Sequence, residues 1–177
     1  MYKIIFIFKI IFLFFGCSSN SNQNALPSGL EYPDQESWDV TIILTDSSLE
    51  RARIKSGHLE KYNKKQFILL DEMVKVDFYD KNEEHVAILN SLKAEVRQNS
   101  NNMKAIGNVV AISDSGITLY TDTLFWDAKK EKMTTLDSVM ITTEDSDTLY
   151  GVGFESDSDF KNWKILNPSG VTNRANK

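Results

Sequence analysis

The side chains able to do chemistry in this chain are few and scattered. Two histidines, His58 and His85, stand apart from each other, from the single cysteine and from any carboxylate pair at metal-ligand spacing. The sequence therefore supports no metal site, and a satisfied or solvated imidazole accounts for each. Asp114, Asp122, Asp127 and Asp137 fall in turns and at strand edges, where carboxylates serve as solvated charge. Two acidic runs, Glu144-Asp145-Ser146-Asp147 and Asp157-Ser158-Asp159, contain the residue types that hold calcium. Neither has the full ligand spacing of a calcium loop, and charged hairpin tips explain them. There is no G-x-S-x-G, no phosphate loop and no nucleophile beside a base. An esterase would need Ser, His and Asp brought within hydrogen-bond reach by the fold. No enzyme and no cofactor is expected, which leaves binding through apolar surface.

Composition narrows the partners. The 177 residues carry a net charge of −5, with 41% hydrophobic and 11% aromatic residues, enough for one domain with a real core. Lys61, Lys64 and Lys65 cluster, but they read as a solvated hairpin turn rather than a basic patch. Nucleic acid is accordingly excluded as a partner.

The chain begins MYKIIFIFKIIFLFFGCSS. A basic start, a short apolar run from Ile10 to Phe15 and a small residue before Cys17 describe a secretory signal over residues 1–16. The run is shorter than the roughly 20 residues that span a bilayer. Cys17, after Gly16 and before a polar tract, is similar to the lipobox of bacterial lipoproteins, whose cysteine becomes the lipidated first residue. Phe14 stands where that motif prefers Leu, with Leu13 one place early. The alternative is an uncleaved anchor with an incidental thiol. Acyl chains on Cys17 would anchor the protein stably, at roughly 0.8 kcal/mol per buried CH₂. Residues 17–32, polar and turn-rich, read as a flexible tether. With one cysteine the fold is held by its core alone.

From Trp38 onward the pattern is that of strands. Val40, Ile42 and Leu44 share one parity, as do Val74, Val76 and Phe78. Arg51 to Tyr62, Phe67 to Leu70, Met73 to Tyr79 and Phe160 to Leu166 complete the set outside the central stretch. Val86 to Val96 is ambiguous, because Ile88, Leu92 and Val96 recur at helical spacing, and strand is preferred by alignment with later segments. Between Gly107 and Asp157 lie three apolar runs, Val109 to Ile112, Ile117 to Trp126 and Val139 to Ile141, separated by short turns. Connections this short leave no room for crossover helices, so the strands pair antiparallel. A weak repeat of roughly 30–35 residues, two strands and two turns per unit, runs through the chain. Ile54 and Leu59, Ala87 and Leu92, Leu119 and Leu124, and Leu149 and Phe154 are each five positions apart. An odd offset puts the two on opposite faces of a flat strand, so a bulge or kink is expected between them. The domain is placed at 33–172, closed by an Asn167-Pro168-Ser169-Gly170 turn, with 173–177 a frayed tail.

The stretch GNVVAISDSGITLYTDTLFWDAKKEKMTTLDSVMI, followed by DTLYGVGFESDSDFKNWKI, resembles the LptC family of lipopolysaccharide export and the OstA-type β-repeat of its bridge proteins. The resemblance covers roughly Pro33 to Thr172. It implies an all-β, antiparallel fold, an open V-shaped β-jelly roll whose interior holds the lipid part of lipopolysaccharide. The lining implied is Ile54, Leu59, Val74, Val76, Leu92, Val109, Leu119, Leu124, Trp126, Val139, Ile141 and Phe154, of which about half are expected to be plain core. It also implies a periplasmic relay without chemistry. Lipopolysaccharide would arrive from an inner-membrane ABC transporter complex and leave to an OstA-like bridge protein by strand addition. The better-known members carry a transmembrane helix, whereas this chain has a lipid-anchor signature, most consistent with the inner membrane.

The rival reading is a glycan-binding β-sandwich surface lipoprotein that displays Tyr120, Trp126 and Trp163 as exposed, coplanar rings.

Overall fold

The computed structural model describes residues 32–145 and 147–169. The expected signal sequence, Cys17, nearly all of the expected tether and the C-terminal tail expected to fray lie outside the described residues.

Alternation of β-branched and aromatic residues with polar ones produces an all-β, antiparallel structure. The strands are β1 (Gln35–Asp46), β2 (Leu49–Tyr62), β3 (Phe67–Asp71), β4 (Val74–Tyr79), β5 (His85–Ser91) and β6 (Lys93–Arg97). They continue with β7 (Met103–Ser113), β8 (Thr118–Asp127), β9 (Lys132–Thr142), β10 (Thr148–Asp157) and β11 (Trp163–Ser169). The ambiguous segment from Val86 to Val96 is strand, as β5 and β6. Several strands begin earlier than expected, as β1 at Gln35 and β7 at Met103, and two differences fall at the C-terminal end. Phe160 belongs to the turn before β11, and Asn167-Pro168-Ser169 continues β11 instead of closing the domain. Proline is tolerated there because β11 pairs only with β10 among the described residues, which leaves a flank without ladder partners.

The topology is a meander folded over on itself. β2 pairs with β4 through Ala52–Lys55 and with β3 through His58–Tyr62. β3 continues through Glu72 and Met73 into β4, and β5 continues through Leu92 into β6. β7 pairs with β6 through Met103–Ile106 and with β5 through Val110–Ser113. Each ribbon thus crosses from one layer to the other at a kink. Several of the kinks coincide with backbone that leaves the β region. Asp39 has φ 51° in β1, Glu72 and Met73 have φ 56° and 67° between β3 and β4, and Gly107 and Asn108 have φ 82° and 48° in β7. In β10 the register shifts between Val152 and Phe154, around Gly153 at φ 79°. Gly107 and Gly153 are needed as glycines. A Cβ at Gly107 would lie 3.1 Å from the Leu92 side chain, and one at Gly153 would lie 3.0 Å from Leu166, both on backbone that L-residues avoid.

The kinks also explain the odd five-residue offset. Ile54 and Leu59 are both buried, on either side of the kink in β2. Leu119 and Leu124 flank the register shift between β8 and β9 and are both buried. Leu149 packs against the core and Phe154 lies within it. The fourth pair departs from the pattern. Leu92 is 53% exposed at the kink between β5 and β6, and Ala94 takes the inward position.

Candidate functional site: the apolar face between the layers

Folding the meander brings two continuous apolar rows face to face. In one layer the register aligns Ile42, Ile54, Val76, Leu89, Ala111, Leu119, Ile141 and Leu149 on successive neighbouring strands. In the other it aligns Leu59, Leu70, Ala94, Ala105 and Leu124. Side chains directly opposite on one face of an antiparallel pair touch, so each row is an unbroken aliphatic stripe perpendicular to the strands. Alanines at positions 52, 87, 94, 105 and 111 are essentially inaccessible to solvent. They leave room for large rings from the other layer, as where Phe78 meets Trp126 edge-on at 5.2 Å.

Of the twelve residues implied as lining, eleven face this interior and are buried; Leu92 lies outside it, against Gly107. Ile54, Val74, Val76, Val109, Leu119, Val139 and Ile141 belong to the layer of β4 and β5. Leu59, Leu124, Trp126 and Phe154 belong to that of β3 and β6. The interior is filled by these chains themselves. Phe78, Leu70, Leu89, Met103 and Met133 are equally buried and stand outside the twelve. Phe78 shares the parity of Val74 and Val76 and was legible there. Met133 follows a lysine-rich turn, and nothing local marks it as core.

One margin of the interior is closed by specific contacts. Phe160 reaches inward from the acidic β10–β11 turn, fully buried, with its ring 5.9 Å from Phe154. Arg51 of β2 donates to Glu131 of the β8–β9 turn at 2.7 Å, joining the two layers. Lys81 of the β4–β5 turn lies 3.6 Å from the same carboxylate. The Trp126 indole donates to Ser158 Oγ at 3.2 Å, which in turn donates to the Glu131 carbonyl. Beside Arg51 and Trp126, a cleft of about 160 Å³ also reaches Leu44 and Asn101. That volume is below the 300–1,000 Å³ typical of small-molecule sites.

The outer faces carry the remaining titratable groups. His58 Nδ1 lies 2.9 Å from Asp71 Oδ1. Hydrogen bonding to Asp71 holds the imidazole above its ordinary pKa against the opposing effect of burial, with Glu60 and Glu36 adding to it. His85 pairs with Asp114 at 2.8 Å. Among the described residues, no serine hydroxyl hydrogen-bonds to either imidazole. Ser56, the nearest candidate by position, donates to the carbonyls of His58 and Asp71. The acidic segment before β11 makes its own contacts: Asp157 accepts from the Asn162 side chain and pairs with Lys132, and Asp159 accepts from the Lys161 amide. The rings of the glycan reading are not displayed together. Trp126 is buried, Trp163 packs on Phe154 at 6.4 Å, and only Tyr120 is exposed. Among the described residues no helix is long and apolar enough to cross a membrane.

Two antiparallel layers from one folded meander, apolar between them, define an OstA/LptC-like β-jelly roll. The family model for lipopolysaccharide-assembly, LptC-related proteins matches residues 4–170. The chain belongs to that family. Among solved structures it is similar to LptH, the LptA-homologous periplasmic component of the lipopolysaccharide transport device of Pseudomonas aeruginosa. The TM-score is 0.53 at 13% identity, over 71% of this chain and 89% of that one, which speaks to the fold. The search of curated proteins found no match.

Proposed function

We propose that this chain is a periplasmic relay of lipopolysaccharide export that holds the lipid part between its layers and passes it on without chemistry. The observation that carries the reading is the eight-strand aliphatic row from Ile42 to Leu149, opposed by the row from Leu59 to Leu124. Together they form an apolar track across the meander, in the direction in which further strands would be added. Family membership supports the choice of cargo. β1 and β11 each pair on one side alone among the described residues, so both flanks offer unpaired backbone for strand addition. One flank would receive lipopolysaccharide from an inner-membrane ABC transporter complex, and the other would meet an OstA-like bridge protein. Acylated Cys17 would hold the protein at the inner membrane, and the polar tether would let the domain reach its neighbours.

Since the interior is filled, acyl chains enter by parting the layers. The margin closed by Phe160, Arg51 and Glu131 is the place for that parting, because the Arg51 and Lys81 side chains reach across to Glu131 there. Each displaced core contact is replaced by one with lipid, so the apolar area buried is roughly conserved during hand-off.

The test is photocrosslinking in cells. A photoreactive residue replaces Leu119, Val139 or Phe154 singly, with exposed Lys130 as the outward control and abundance checked by blotting. Lipopolysaccharide adducts at the inner sites and none at Lys130 are expected. Folded, abundant protein without any adduct at the three sites overturns the relay reading. Photoreactive substitutions at Ile43 of β1 and Leu166 of β11, both exposed, are expected to capture protein neighbours at the two flanks.

A further inference from the structure

On the outer face of the layer containing β3 and β6, away from the lipid track, β1 and β2 bring Glu36, His58 and Glu60 together. A ring nitrogen of His58 and one carboxylate oxygen from each glutamate lie within 4.8 Å of one another. The sequence hid this group because Glu36 comes from a different strand. Antiparallel register sets Glu36 directly opposite Glu60, and Trp38 directly opposite His58. Positions 58 and 60 are two apart on one strand and so share a face.

Three features distinguish the group from ordinary surface charge. First, two carboxylates stand directly opposite across a β ladder, an arrangement that is destabilising without a cation. No lysine or arginine forms an ion pair with Glu36 or Glu60 among the described residues. Second, His58 is oriented from behind by a residue outside the group. A carboxylate can only accept, so Nδ1–H donates to Asp71 Oδ1 at 2.9 Å, and in the neutral ring the lone pair rests on Nε2. A carboxylate behind a histidine is the arrangement that fixes the tautomer of metal-ligating imidazoles. Third, the ligands are held from the side. The Trp38 ring lies 5.3 Å from the imidazole, and the Tyr62 hydroxyl donates to Glu60 Oε2 at 2.7 Å. His85 offers a contrast: Asp77 and Asp114 flank it on separate sides, 3.8 Å and 2.8 Å away, without forming such a triplet.

We propose that Glu36, His58 and Glu60 form a zinc(II) site that fastens the edge strand β1 to β2. One imidazole and two carboxylates suit a borderline divalent ion and match its charge, with water completing a tetrahedral shell. Calcium is disfavoured because it takes six to eight oxygen ligands. Ligand atoms in a tetrahedral zinc site lie about 3.3 Å apart, given bonds near 2.0–2.1 Å. The site would close on the ion by rotation of the exposed Glu36 side chain. The ion would replace cross-strand repulsion with a clamp near the start of β1, on the flank proposed above for strand addition.

The experiment uses the full chain in detergent with Cys17→Ser, which removes the one thiol able to bind zinc. Zinc chloride is titrated calorimetrically, with calcium chloride in parallel, and hydrogen exchange of β1 is followed with and without zinc. One equivalent of zinc is expected to bind, with no calcium uptake and increased protection across β1. Glu36→Gln and Glu60→Gln, which keep shape and lose charge, are expected to weaken binding at least about 10-fold, as is Asp71→Asn through the His58 ring. His85→Asn should bind as the parent does. Absence of a saturable equivalent overturns the proposal, as does zinc binding that survives both glutamate substitutions or leaves β1 exchange unchanged.

Discussion

Phe160 offers the sharpest test of how the interior is closed. It sits in an acidic turn between Asp159 and Lys161, yet it is fully buried against Phe154. Its φ is 57°, so the ring is inserted at the cost of a left-handed backbone. Replacing a buried phenylalanine with alanine typically costs about 3–5 kcal/mol. The lower end applies here, because a surface turn can settle into the space. At about 2–4 °C per kcal/mol for a domain of this size, Phe160→Ala should lower Tm by about 6–12 °C. Phe160→Gly removes the same ring but also relieves the left-handed strain. It should therefore be more stable than Phe160→Ala by about 0.5–1 kcal/mol, the reverse of the usual order in regular structure. Urea unfolding followed by tryptophan fluorescence measures both. A loss below about 1 kcal/mol for the alanine variant would show that the turn does not plug the core. A glycine variant less stable than the alanine one would show that the backbone is not held left-handed.

Other consequences follow from the same geometry. A Cβ at Gly151 would lie 2.6 Å from the Asn167 carbonyl, so Gly151→Ala should detach β11, seen as fast hydrogen exchange over residues 163–169 with β7 and β8 still protected. Glu131→Gln leaves the largely buried Arg51 without its anionic partner across the two layers. It should destabilise the fold by about 1–3 kcal/mol and raise lipopolysaccharide adducts at Leu119 relative to parent, read by denaturation and blotting. Asp157 is held below the usual carboxylate range by its bond to Lys132 and then by Asn162. A depressed folded pKa contributes stability above the unfolded value near 3.9 that is lost as pH falls through the folded one. Asp157→Asn should therefore be less stable than parent at pH 6, with a shallower loss on acidification, measured as Tm against pH.

Much of this molecule was legible in its sequence because period-two alternation is a local property. Val40, Ile42 and Leu44, and Val74, Val76 and Phe78, mark their faces without reference to anything distant. The five-residue offset between Ile54 and Leu59, or Leu119 and Leu124, even announced the kinks, since an odd spacing cannot keep one face on a flat strand. The family resemblance carried by the Gly107 to Asp157 stretch was likewise readable, because that stretch is contiguous. Tertiary structure decided the rest. Leu92 follows the repeat yet points outward, because it falls on the kink itself, where parity is undefined until β5 and β6 choose their layers. Phe160 is core although its neighbours are a turn and charges, since only the approach of the second layer creates a place for its ring. Arg51 meets Glu131, and Glu36 meets His58 and Glu60, across separations that no local pattern records; register and the folding of the meander set those distances. Strand identity is written in nearest neighbours along the chain, whereas contacts between strands depend on where each ribbon bends.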